Sequence, residues 1–162
     1  MVAAHTWAQR FEYTPRERCD VNPISHEPAA PSPGETGETA AARPRILVVE
    51  DTDALRASAV RTLAAEGYAV SEARHGQDAL QVIERSAEQF DVVVTDVSMP
   101  VMSGYKLGRR LAECCPGLPV VYMSNAPSAA LLRCGMPPGP MPFLRKPFQP
   151  EDLVREVAAL IP

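Results

Sequence analysis

The segment DVVVTDVSMP, residues 91–100, carries three valines in a row before the carboxylate of Asp96, and Pro100 follows four residues later. A lone aspartate after an apolar strand is often only a cap for the next helix. Whether this one has a chemical role depends on the other polar groups that end apolar runs. They are the carboxylates of Glu50 and Asp51 after RILVV, the hydroxyl of Ser124 after PVVYM and the ammonium group of Lys146 after FLR.

These five side chains would suit one reaction if the fold brought them together. Three neighbouring carboxylates repel one another, so such a site needs a cation. Oxygen ligands with open positions suit Mg²⁺, which keeps water ligands and favours phosphate oxygens. A carboxylate beside Mg²⁺ can attack a phosphoryl group and form an aspartyl phosphate, while the metal and a lysine neutralise the transferred oxygens. A hydroxyl can donate a hydrogen bond to the new phosphate.

A parallel sheet would bring these groups together. From Arg45 onwards, apolar runs and amphipathic stretches alternate five times, which predicts strands and helices in turn. The strands are aliphatic runs, as expected when helices cover both faces of a parallel sheet. The sequence therefore predicts an α/β domain over residues 44–162 with a doubly wound, five-stranded parallel sheet. Ligands bind beyond the carboxyl ends of such strands, where all five polar groups would stand.

The helical stretches are less uniform than the strands. DALRASAVRTLAAEG has Leu55, Ala59 and Leu63 at helical spacing and then Gly67 as a stop, which predicts a helix. Within residues 126–133 we expect only a short helix, because four prolines and two glycines follow it.

Composition changes near residue 44. Residues 1–43 contain few aliphatic residues and many prolines, so we expect a disordered tail or linker that cannot offset the entropy of ordering. No apolar stretch suits a signal peptide or a membrane span, and the formal net charge of −4 gives no reason to expect nucleic-acid binding. The four cysteines form no CxxC pair, and we expect at least one of the adjacent Cys114 and Cys115 to be buried.

The cysteine pattern favours a reducing compartment. Together with the absence of an apolar span and of a basic charge, it predicts a cytoplasmic protein that binds neither membrane nor nucleic acid.

Five motifs, VVED, ARHGQDAL, DVVVTDVSMPVMSGY, PVVYMSN and FLRKPF, resemble those of receiver domains in the response regulators of two-component systems. They stand in the family's order and spacing over nearly all of residues 44–162. The Gly/Pro-rich loop before FLRKPF most resembles receivers at the C-terminus of hybrid sensor histidine kinases. The resemblance implies a flavodoxin-like fold and a phosphorelay role. It also implies no enzyme activity beyond self-phosphorylation and self-dephosphorylation.

The resemblance also implies roles for single residues. Asp96 matches the phosphoacceptor, which takes its phosphoryl group from a phosphohistidine, and Lys146 matches the family's lysine. Phe143 matches an aromatic switch that rotates inward when the hydroxyl of Ser124 turns toward the phosphate. The matching Mg²⁺ ligands are Glu50, Asp51, Asp96 and the backbone carbonyl of Ser98, and the matching backbone features are Gly104 at the start of the third helix and a cis Lys146–Pro147 peptide bond.

The implied partners are a sensor histidine kinase or a His-phosphotransfer protein as donor, and a downstream protein that the sequence does not identify. The chain departs from the family pattern at Asn125, where a small residue is usual, and at Ala126, where a polar side chain is common. The irregular stretch that follows leaves open an alternative, an interaction module that works without phosphorylation. A haloacid-dehalogenase-like hydrolase is disfavoured, because Ser98 stands where a second aspartate would be needed.

Overall fold

The computed structural model describes residues 43–87, 89–126 and 142–161. Within these ranges strands and helices alternate, and we number both in chain order. They are β1 (Arg45–Val49), α1 (Asp53–Ala65), β2 (Ala69–Ala73), α2 (Gly76–Arg85), β3 (Val92–Asp96), α3 (Gly104–Cys114), β4 (Val120–Ser124), β5 (Phe143–Arg145) and α4 (Pro150–Ala158).

The five strands form one sheet in the order β2-β1-β3-β4-β5, and every neighbouring pair is parallel. The direction of winding reverses at β1, which lies between β2 and β3. The register pairs Val49 with Thr95 and Asp96 with Met123, so the carboxyl ends of β1, β3 and β4 lie side by side. The predicted α/β fold, with a doubly wound sheet of five parallel strands, is confirmed.

The strands form because their apolar side chains are buried on both faces of the sheet. In β1, Ile46 and Val48 belong to one core cluster and Leu47 and Val49 to the other, and all four are fully buried. Burying such a side chain contributes about 1.5–3 kcal/mol to the free energy of unfolding. The sheet therefore holds the polar groups at its edge in fixed positions. The helix residues that pack on it are Leu63, Leu153 and Val157 on one face and Ala79, Leu107 and Leu111 on the other.

The helix predicted from the spacing of Leu55, Ala59 and Leu63 is present as α1, but its buried face differs by one residue from that set. Ala59 and Leu63 are buried, but Leu55 is 49% exposed and Arg56 is buried instead. Position 56 lies three residues before position 59, so it shares the helix face of Ala59 and Leu63 equally well. Arg56 can occupy a buried position because its guanidinium finds hydrogen-bond acceptors on three sides.

The cysteines, the predicted tail and the predicted short helix remain to be compared with the structure. Neither cysteine at the end of α3 is buried, since Cys114 is exposed and Cys115 is half-buried, so that prediction is wrong. Cys115 is the C-cap residue of the helix and packs against the core cluster of that face without being enclosed by it. The predicted tail over residues 1–43 and the predicted short helix over residues 126–133 lie almost wholly outside the described residues, so both stay predictions. None of the helices in the described ranges has the length and apolar character that crossing a bilayer requires.

Candidate functional site

The polar groups at the strand ends do meet at one edge of the sheet. An open pocket of about 380 Å³ lies there, beyond the carboxyl ends of β1, β3 and β4 and beside the end of β5. Of the seven residues predicted as phosphoacceptor, metal ligands, lysine, hydroxyl and aromatic switch, six line the pocket. They are Glu50, Asp51, Asp96, Ser98, Ser124 and Lys146, and the remaining lining residues are Thr52, Leu55, Asn125 and Ala126.

The three carboxylates form a tight cluster. One oxygen from each of Glu50, Asp51 and Asp96 lies within 4.8 Å of the other two. Glu50 and Asp96 are buried, with exposures of 1% and 7%, whereas Asp51 lies at the exposed rim. The backbone N–H of Thr52 donates to Oε1 of Glu50 at 3.2 Å, which fixes one side of that carboxylate. Two buried carboxylates therefore lie next to a third at the rim of the pocket.

Lys146 supplies the positive charge of the cluster. Its Nζ lies 2.5 Å from Oε2 of Glu50 and 3.2 Å from Oδ1 of Asp96. Burial by itself lowers the pKa of Lys146, but the hydrogen bond to Glu50 and the charges of Asp96 and Glu50 outweigh burial and raise the pKa above its ordinary value. The lysine therefore carries its charge throughout the neutral range.

The donor set fits a hard divalent cation. Three carboxylates and one ammonium group leave two negative charges uncompensated among these four side chains. All the available donor atoms are oxygens, which Mg²⁺ prefers over sulfur or nitrogen. Ser98 lines the same pocket from the loop after β3. The pocket thus has both the charge and the chemistry to hold Mg²⁺.

Ser124 and Phe143 stand in different places. Ser124 ends β4, is almost fully buried, and its Oγ accepts a hydrogen bond from the N–H of Ala126 at 3.1 Å. Phe143 begins β5, lies opposite Tyr122 in the sheet and does not line the pocket. It packs instead in a small apolar cluster that contains Tyr122 and Ala126. Ala126 therefore bonds the Ser124 hydroxyl through its N–H and also packs against the apolar cluster that Phe143 joins.

The loop from β3 to α3 needs a glycine where the family pattern has one. A β-carbon on Gly104 would collide with the carbonyl oxygen of Asp96 and would lie 2.7 Å from Oγ1 of Thr95. The N–H of Gly104 donates to the carbonyl of Val97 at 3.2 Å, which closes the loop beneath Asp96. The Lys146–Pro147 peptide bond is cis, as the resemblance implies.

Arg56 is the residue near the site that sequence reasoning missed. Its Nη1 donates to the backbone carbonyl of Glu50 at 2.9 Å, its Nε lies 3.3 Å from Oε2 of Glu72, and its Nη2 pairs with Asp53. The hydrogen bond and charge of Arg56 hold the pKa of Asp53 below its usual value. The only sequence signal was the spacing of position 56 from Ala59 and Leu63. A charged residue at that spacing does not indicate a buried position.

Known proteins share this fold and these motifs. The family model for the response regulator receiver domain matches residues 46–158. The sensor kinase CckA of Brucella abortus is 36% identical over 116 residues, which are 72% of this chain and 12% of the kinase. The response regulator MprA of Mycolicibacterium vanbaalenii is 36% identical over 117 residues, which are 72% of this chain and 50% of the regulator. The chain thus spans half or less of the length of these curated relatives.

Solved structures agree with the sequence comparisons. The receiver domain of the hybrid histidine kinase CckA has a TM-score of 0.60 at 34% identity, over 73% of this chain and 99% of that one. The chemotaxis response regulator CheY4 of Vibrio cholerae has a TM-score of 0.65 at 28% identity, over 74% of this chain and 99% of that one. The predicted likeness to receivers of hybrid kinases is therefore confirmed. Fold, motifs and relatives together show that this chain belongs to the receiver domain family of response regulators in two-component signalling.

Proposed function

We propose that this receiver domain takes a phosphoryl group from a phosphohistidine onto Asp96 and then signals through contacts with another protein. The observation that carries the proposal is the surroundings of Asp96. Its carboxylate clusters with those of Glu50 and Asp51 within 4.8 Å, and Nζ of Lys146 lies 3.2 Å from its Oδ1. One acceptor carboxylate beside a cation site and a lysine is the arrangement that phosphoryl transfer to an aspartate requires.

In the proposed reaction, an oxygen of Asp96 attacks phosphorus and the phosphorus–nitrogen bond breaks. The leaving imidazole keeps the electron pair of that bond and takes a proton from solvent. Lys146 binds an oxygen of the transferred group, because its ammonium group already lies against Asp96. When bound, Mg²⁺ supplies charge neutralisation for the phosphoryl oxygens. Its proposed ligands are Glu50, Asp51, Asp96 and the backbone carbonyl of Ser98.

Ser124 and Phe143 convert phosphorylation into a change of surface in this proposal. The Ser124 oxygen accepts from the N–H of Ala126, which leaves the hydroxyl proton to be donated to a phosphate oxygen. When the hydroxyl turns, Ala126 loses its acceptor, and the apolar cluster that Ala126 shares with Phe143 repacks. A coupling of about 1–3 kcal/mol is enough for such a switch.

Receiver domains interact with histidine kinases or phosphotransfer proteins and with downstream effectors. For this chain we propose a sensor histidine kinase or a His-phosphotransfer protein that docks beside α1. Leu55 of α1 supports this, because its side chain is half exposed and lines the same pocket as Asp96. The downstream partner is a protein that nothing in the site identifies, and a cytoplasmic location stays a prediction.

Phosphoramidate, a small donor with a phosphorus–nitrogen bond, tests the proposal without a known kinase. With Mg²⁺, the purified chain should phosphorylate itself and gain one phosphoryl group by intact mass. That group should survive acid, be removed by base and be lost over time through self-dephosphorylation. Replacing Mg²⁺ with a chelator should abolish the gain. If no group is gained, and if Mg²⁺ with beryllium fluoride leaves the NMR spectrum unchanged, the chain is better explained as an interaction module that works without phosphorylation.

A further inference from the structure

We propose that Arg56 is a positioning residue for the cation site, and that it acts by fixing the peptide group between Glu50 and Asp51. This inference rests on the proposed function, because it concerns the two acidic residues that are to hold Mg²⁺. It assigns a role to a buried arginine that touches neither the pocket nor Asp96 in the described contacts.

The main chain at Glu50 is held from two sides. Its N–H donates to the carbonyl of Ala73 at the end of β2, at 3.1 Å. Its carbonyl accepts from Nη1 of Arg56 at 2.9 Å, and this hydrogen bond is buried. Because a peptide unit is planar, a fixed carbonyl also fixes the direction in which the chain continues to Asp51. The Arg56 hydrogen bond therefore fixes the backbone position from which the Asp51 side chain extends to the rim of the pocket.

The guanidinium is itself oriented by two carboxylates from different elements. Asp53 belongs to the first turn of α1, and Glu72 belongs to β2. These partners are 81% and 57% exposed, whereas the Arg56 side chain is only 8% exposed. Ion pairs with such exposed carboxylates contribute little stability. Their effect on geometry matters more. They hold the planar guanidinium group of Arg56, with its forked N–H donors, so that Nη1 points at the Glu50 carbonyl.

Charge and position predict opposite effects on Mg²⁺ affinity. A positive charge close to a cation site repels the cation, so removing the charge of Arg56 should tighten Mg²⁺ binding if electrostatics were its only influence. If Arg56 positions Glu50 and Asp51, removing it should weaken binding, since the ligands lose their fixed starting geometry. Loss of a residue that orients metal ligands typically costs about 10–100-fold in metal affinity.

The test is the Mg²⁺ dissociation constant, measured by isothermal titration calorimetry at fixed low salt and neutral pH. The variants are Arg56→Gln, which removes the charge and the fork, and Arg56→Lys, which keeps the charge and loses the fork. Arg61→Gln is the matched control, because Arg61 is exposed on the same helix and the change in charge is the same. The lysine variant keeps the measurement decisive if the glutamine variant does not fold.

We expect about a 10-fold weaker Mg²⁺ affinity for Arg56→Gln, a smaller loss for Arg56→Lys and no loss for the control. Amide hydrogen exchange at Thr52 in the metal-free protein should also become faster in both Arg56 variants, because its N–H is held by the Glu50 side chain. Unchanged or tighter binding in both variants, with wild-type binding intact, would overturn the inference alone. If the wild-type chain binds no Mg²⁺, the proposed function fails and the inference fails with it.

Discussion

The ammonium group of Lys146 bonds the carboxylate of Glu50 at 2.5 Å, although the two residues are 96 positions apart in the sequence. One residue follows β5 at the sheet's edge and the other follows β1 near its centre. The contact spans the pocket and competes with any other cation for the same carboxylate. It therefore makes a prediction about metal binding as well as about phosphoryl transfer.

Lys146→Met should bind Mg²⁺ more tightly and take up phosphoryl groups much more slowly. Two unit charges 4 Å apart in water repel by about 1 kcal/mol, and a divalent ion doubles that figure, so we expect about a 30-fold lower Mg²⁺ dissociation constant. Uptake should fall because no ammonium group remains to neutralise the transferred oxygens. Calorimetry and intact mass measure the two effects. Lys106→Met, an exposed site on α3, is the matched control, and weaker Mg²⁺ binding in Lys146→Met would contradict the prediction.

Ser124→Ala should still accept a phosphoryl group but should not transmit the change. The variant removes the only hydroxyl of the described residues that both ends a strand and lines the pocket. We expect the Phe143 ring signals in NMR spectra to move on addition of beryllium fluoride in the wild type and in Ser124→Thr, which keeps a hydroxyl. The same signals should stay nearly unmoved in Ser124→Ala. A full response in Ser124→Ala would show that the hydroxyl does not drive the switch.

Gly108→Ala should destabilise the fold, although alanine favours helices by about 1 kcal/mol over glycine. Gly108 lies within α3, and a β-carbon there would collide with the hydroxyl of Tyr122 and lie 3.0 Å from its ring carbon Cζ. Overpacking of this kind costs about 1–3 kcal/mol. Urea unfolding of Gly108→Ala, Tyr122→Phe and the double variant should show a smaller cost of the alanine when the hydroxyl is absent. A stabilising effect of Gly108→Ala in the wild-type background would rule out this contact.

Val101→Gly should stabilise the domain. Val101 has a φ of 63° and is 77% exposed, in a γ-turn where the N–H of Met102 donates to the carbonyl of Pro100 at 2.6 Å. The left-handed conformation costs an L-residue about 1–2 kcal/mol, and the glycine loses about 0.5–1 kcal/mol of that gain to its greater chain entropy. We expect a net gain of about 0.5–1 kcal/mol in the free energy of unfolding. Val101→Ala, which keeps the β-carbon, should show no gain in the free energy of unfolding. A destabilised Val101→Gly variant would contradict the backbone strain inferred at Val101.

The sheet and the main part of the site could be predicted from sequence because both follow from strand ends. Continuous aliphatic runs indicated strands buried on both faces, and parallel strands bring their carboxyl ends to one edge. Glu50, Asp96 and Lys146 each come directly at or after such a run. Their meeting in one pocket was therefore a consequence of topology, which needs no knowledge of side-chain packing.

The parts that could not be predicted depend on contacts between distant elements. The spacings 55, 59, 63 and 56, 59, 63 both fit one helix face, and apolarity favoured Leu55 over Arg56. Arg56 is buried because acceptors on Glu50, just after β1, and on Glu72 in β2 reach it, and helical periodicity contains no information about them. Gly108 went unnoticed for the same reason, since the need for glycine at this position of α3 comes from Tyr122 on β4.

The most direct test of the central claim is the intact mass of wild type and Asp96→Asn after incubation with phosphoramidate and Mg²⁺. Asp91→Asn is the matched control, because Asp91 precedes the same strand at its opposite end and its carboxylate accepts from the N–H of Arg45. We expect one base-labile phosphoryl group on wild type and on Asp91→Asn, and none on Asp96→Asn. Equal uptake by Asp96→Asn and wild type would contradict the assignment of Asp96 as the phosphoacceptor.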